Sequence, residues 1–144
     1  MTGVQTCALP ICDDALAQAL LTLMAEQQAD FTLTFRGLAD AAGGDDAVRA
    51  QFADPAGFDA WAVRWRKLLP PGAAAAMRAV NPAVIPRNHR VEEAISAAVE
   101  RDDFVPFEGL MAALATPFEA RHGAERYTWP PGADERVVAT FCGT

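Results

Sequence analysis

Residues 54–72 read Asp54-Pro55-Ala56-Gly57-Phe58-Asp59-Ala60-Trp61-Ala62-Val63-Arg64-Trp65-Arg66-Lys67-Leu68-Leu69-Pro70-Pro71-Gly72, and their spacing decides the class of fold. Asp54 can cap a helix, and Pro55 suits the first helical position, where no amide hydrogen is needed. Phe58, Trp61, Trp65, Leu68 and Leu69 recur at three- and four-residue intervals, toward one side of a helix that Pro70-Pro71-Gly72 ends. Trp61 and Trp65, at i and i+4, fit a packed aromatic core stripe; stacking on a nucleotide is the rarer use of such a pair.

The same reading extends in both directions. Upstream, Asp13 or Asp14 can cap a first helix with Leu16, Leu20, Leu23 and Met24 along one face, and Phe31, Phe35 and Leu38 continue at the same period with Arg36 turned away. Gly43-Gly44-Asp45-Asp46 is a loop whose acids suit the positive end of a short following helix. Downstream, Ala73 to Val80 has high helix propensity and Asn81-Pro82 closes it. Val91, Ala94, Ile95, Ala98 and Val99 predict another helix. Pro106 opens a last one, with Phe107, Leu110, Met111 and Leu114 facing inward and Pro117 stopping it. Beyond Arg121 the chain is mostly irregular, with an extended tail from Val137 to Phe141. No convincing pair of strands and no internal repeat is visible. The class is all-α.

Composition narrows the partners. The chain has 144 residues, 51% hydrophobic and 22% charged, the proportions of one packed domain. Nineteen acids against twelve bases give a net charge of −7, and a pI near 4.7. That balance argues against nucleic acid or an anionic membrane as partner, since both reward clustered Lys and Arg. No uncharged apolar run approaches the ~18 residues of a bilayer span.

Residues 1–12, Met1-Thr2-Gly3-Val4-Gln5-Thr6-Cys7-Ala8-Leu9-Pro10-Ile11-Cys12, carry no charge and no periodicity. They lack the basic leading region of a signal peptide and read as a translated sequencing adapter, to be set aside from fold reasoning. Setting them aside leaves one cysteine, Cys142, and removes any case for a disulfide framework.

The inventory of chemical motifs is short. Gly43-Gly44 lacks the spacing and the lysine of a phosphate-binding loop. His89 and His122 stand far apart with no cysteine ligands nearby, so no zinc site is expected, and each reads as a loop or surface histidine. Glu92-Glu93 and Asp102-Asp103 are adjacent pairs, which point in different directions on a helix and read as solvated faces. In Asn81-Pro82-Ala83-Val84-Ile85-Pro86-Arg87-Asn88-His89, the prolines hold Asn81 and Ile85 extended, so Arg87, Asn88 and His89 project from a stiffened turn. Asn88 is a natural N-cap for the next helix. The alternative is a preorganised polar contact with another domain or a bound nucleotide.

Met77-Arg78, Val80-Asn81-Pro82, Ile85-Pro86-Arg87-Asn88-His89, Val91-Glu92, Ala94-Ile95, Asp103 and Pro106-Phe107 together resemble the C-terminal region of the selenoprotein O family, whose bacterial members are often called YdiU proteins. Ala29-Asp30-Phe31-Thr32, Phe35-Arg36, Trp61, Arg64-Trp65 and the ending Thr140-Phe141-Cys142-Gly143-Thr144 fit the same order, so the resemblance covers residues 13–144. It implies a kinase-like fold of which this segment is the helical C-terminal part, and transfer of AMP from ATP, with Mg or Mn, to Ser, Thr or Tyr hydroxyls of proteins. In the family, the nucleotide-binding, metal-binding and catalytic residues precede this region, so no catalytic, cofactor-binding or metal-binding residue is placed here and no ATP binding is expected of the fragment. The expected partners are the missing N-terminal catalytic region and, for the whole enzyme, its protein substrates. A bacterial cytoplasm is the expected location. The resemblance also makes Cys142 a redox candidate, because some members carry selenocysteine at this place. The competing reading is a self-sufficient acidic helical module that binds proteins without catalysis.

Overall fold

A computed structural model describes residues 13–119 and 121–137. Among them every regular element is helical, with no strand, as the sequence predicts. The chain divides into two compact units, the first ending at Pro82 and the second beginning at Ala83.

The first unit is built from α1 (Asp14–Gln27), α2 (Phe31–Ala41), a 3₁₀ turn (Ala47–Gln51), α3 (Pro55–Arg66) and α4 (Ala73–Val80). The starts of α1 and α3 are the ones their caps announce, and α2 has a cap that the sequence reading did not name. Asp13 accepts from the Leu16 amide at 3.0 Å, Asp30 from Leu33 at 2.8 Å, and Asp54 from Ala56 at 3.0 Å. Leu16, Leu20, Met24, Leu38, Phe58, Trp61, Trp65 and Met77 form one buried core. Phe52, Phe58, Trp61 and Trp65 lie ring against ring in sequence, at centroid distances of 4.9, 5.8 and 5.2 Å. The stacking tryptophans are therefore core. Trp61 Nε1 donates to the Leu16 carbonyl at 2.8 Å and ties α3 to α1. A Cβ on Gly37 would stand 2.9 Å from the Val48 Cβ, so only glycine allows α2 this close to the 3₁₀ turn.

Three expectations need correction here. The period does not run on from α1: Gln28 adopts a left-handed conformation (φ 54°) and α2 starts afresh at Phe31. Phe31 is 62% exposed, though stacked on Phe35 at 4.6 Å. Leu68 is also exposed, because α3 ends at Arg66 and the chain turns away before Leu68 can reach the face of Trp65.

The second unit contains α5 (Asn88–Arg101), α6 (Val105–Leu114) and a 3₁₀ turn (Glu125–Tyr127). The Pro117 carbonyl accepts from the amides of Ala83 (2.7 Å) and Val84 (3.1 Å), which closes the unit on a small core of Ala83, Val84 and Ala113. α5 and α6 pack together, joined by Asp102 in a left-handed conformation, Asp103 and Phe104. Asp103 accepts from the Val105 amide at 3.0 Å, and Pro106 stands in the first turn of α6. The inward faces differ from expectation. α5 buries Ala94 and Ala97, and α6 buries Leu110 and Ala113. Ile95 and Val99 face solvent, as do Phe107 (49% exposed) and Met111 (51%). The small residues let the two helices approach, and a two-helix unit has nothing left to cover the larger ones. The expected tail from Val137 to Phe141 lies outside the described residues except for Val137.

Candidate functional site

The Arg87–His89 turn is the segment that sequence singles out, and the structure places it at the start of α5. Pro86 precedes Arg87, whose backbone is extended (φ −65°, ψ 135°) at the N-cap position without a side-chain cap. The Arg87 side chain turns inward and its Nε donates to the Thr128 carbonyl at 3.1 Å. Asn88 is not the cap. It is the first helical residue and is exposed.

His89 is also corrected. Far from a loop or surface residue, it lies on α5 with 7% of its area exposed, and neither ring nitrogen has a hydrogen-bond partner. Burial, then the charge of Arg90, hold the imidazole below its usual pKa, so it is neutral at pH 7. His122 does fit the surface reading: its side chain is fully exposed, 3.3 Å from Glu125.

Beside this turn runs a cleft of about 500 Å³, walled by Ile85, Pro86, Arg87, His89, Pro130 and Arg136. Its guanidinium groups and prolines suit an anionic or apolar group. No carboxylate, hydroxyl or thiol among the described residues lines it, and its one basic or nucleophilic side chain is the His89 imidazole.

An ion network beside α5 was not legible as such. Glu93, read as part of a solvated face, accepts from Arg90 at 2.9 Å and from Arg126 at 2.6 and 2.8 Å. Burial would lift its carboxyl, but the hydrogen bonds from Arg90 and Arg126 hold it below the ordinary carboxylate range. The Arg90–Glu93 spacing of three carries half of this signal; the Arg126 half comes from 33 residues away. In the first unit, Arg36 does not simply turn away: its Nη1 donates to the carbonyls of Arg78 (3.0 Å) and Asn81 (2.9 Å), while Asn81 Nδ2 donates to Phe35 (3.2 Å). These bonds fasten α4 to α2 and serve structure.

Among the described residues, no three His, Cys, Asp or Glu side chains are grouped to hold a metal ion. No helix among them is long and apolar enough to cross a membrane. Cys142 lies outside the described residues.

No family profile matches the chain. Curated relatives do. A protein of a Bradyrhizobium species (strain BTAi1), named protein nucleotidyltransferase YdiU, is 59% identical over 140 residues. Proteins of the same name from Rhodopseudomonas palustris and Methylorubrum extorquens are 54% and 52% identical. Each match covers 92% of this chain but only 28–30% of the relative. With 52–59% identity over 92% of its length, the chain matches a fragment of the longer proteins named YdiU.

Proposed function

We propose that the protein carrying this segment transfers AMP from ATP to Ser, Thr or Tyr hydroxyls of other proteins, with Mg²⁺ or Mn²⁺. The observation that carries the reading is the identity of 52–59% to proteins named nucleotidyltransferases. Residues 13–144 form the helical C-terminal part of the kinase-like domain in this reading, and residues 1–12 are foreign to it. The matched 92% of 144 residues is the length that remains when twelve are set aside.

Nucleotidyl transfer needs cationic and metal clamps around a polyphosphate. Among the described residues no three metal-ligating side chains are grouped. The clamp belongs to the larger part of the polypeptide, and the segment supports it. A bacterial cytoplasm supplies ATP and protein substrates, and in its reducing conditions a Cys142 disulfide to an upstream cysteine is transient. Oxidised glutathione is a sufficient oxidant for that disulfide: two thiols are oxidised and two glutathiones released.

Calorimetry of this chain with ATP and Mg²⁺ is expected to show no saturable micromolar binding. The full-length protein is expected to incorporate labelled AMP into protein. Absence of that labelling with folded full-length protein defeats the proposal, and micromolar ATP binding by this chain defeats the assignment of the clamp elsewhere.

A further inference from the structure

Six large apolar side chains on α5, α6 and their junction face solvent: Ile95, Val99, Phe104, Val105, Phe107 and Met111, with Val99 80% exposed. They are not scattered. Ile95 and Val99 stand one helical turn apart, and so do Phe107 and Met111. Ile95 follows buried Ala94, and Met111 follows buried Leu110. In a short-linked helical hairpin the helices run in opposite senses, so a residue one step past the inward position falls on the same side of both. By helical spacing the two pairs share one face, with Phe104 at the tip between the helices; Val105, about 200° round α6 from Phe107, lies off it. Isolated exposed apolar residues are ordinary, but a contiguous face of this kind marks an interface.

We propose that this face seats the remaining portion of the YdiU polypeptide, through an apolar surface flanked by Lys or Arg. Two observations select that occupant. The chain spans 28–30% of its relatives' length, so most of a full-length member is polypeptide outside this segment. On the same two helices and their junction, the exposed acids Glu92, Glu100, Asp102 and Glu108 outnumber the exposed cation Arg101, which favours a basic surround and opposes a second copy of a chain with net charge −7. The proposal rests on the membership of the longer protein, while its test reads no catalysis.

Hydroxyl-radical footprinting with mass spectrometry uses Phe104, Phe107 and Met111 as built-in probes, in this chain and in the full-length protein. Oxidation of all three is expected to be at least tenfold slower in the full-length protein; equal rates overturn the proposal. Protection already present in the isolated chain that fades on dilution makes the occupant a second copy and overturns it too. Val99→Glu supplies a second readout. It is expected to leave the Tm of the isolated chain unchanged and to lower that of the full-length protein by about 5 °C or more. A full-length variant as stable as its parent counts against the proposal. Loss of AMP transfer with the footprint intact would sink the catalytic reading and leave this one standing.

Discussion

Trp65 shows how far a single residue is legible. Its i+4 spacing from Trp61 announced a core position, and it is fully buried against that ring. Trp65→Ala is expected to cost about 3–5 kcal/mol in a urea titration, since a large buried side chain leaves a cavity. The same argument fails for Phe107, which was expected to be buried and is half exposed, so Phe107→Ala in this chain should cost less than about 1 kcal/mol. His89 carried no periodic signal, because a lone polar residue belongs to no stripe. Burial first and then Arg90 lower its pKa; Glu135 opposes them, and Arg87 (lowering) and Glu93 (raising) matter less. The unfolded chain therefore takes up the proton first as pH falls below about 6.5, and the folded state loses stability there. His89→Leu should lose less stability than the parent between pH 7.5 and 5.5; equal losses by chemical denaturation would exclude this titration.

At the scale of elements, helix starts were legible and helix faces only partly so. Asp54-Pro55 marks the start of α3 because capping is a local bond, complete within three residues. Asp54→Ala should destabilise by about 0.5–2 kcal/mol, with the helix otherwise retained by circular dichroism. The contact of α2 with the 3₁₀ turn was not legible, since Gly37 meets Val48 only after the loop has folded back. Gly37→Ala should cost about 1–3 kcal/mol through overpacking, despite alanine's better helix propensity. An unchanged denaturation midpoint would mean that the two elements separate freely. On α5 and α6, periodicity correctly named apolar stripes but not which stripe would be covered. That choice went to Ala94 and Ala97 on α5 and to Leu110 and Ala113 on α6, the last packed with Ala83 and Val84.

For the molecule as a whole, charge sets the solution behaviour. The net charge of −7 keeps copies apart at neutral pH, and it vanishes near pH 4.7. Turbidity is expected to peak near that pH, where the exposed face of α5 and α6 loses its electrostatic protection. A clear solution through pH 4–5 at high protein concentration would contradict this. By itself the sequence determined the helical class, the starts of α1, α3 and α6, the aromatic core stripe and the kinship with a longer protein. Each is a local bond, a short-range period or an order of residues along the chain. Only the tertiary structure decided that His89 is buried, that Glu93 joins Arg90 and Arg126, that Arg36 fastens α4, and that Ile95, Val99, Phe107 and Met111 stand open. Those outcomes depend on groups tens of residues apart reaching one place, and on how much surface a small unit has available to cover another.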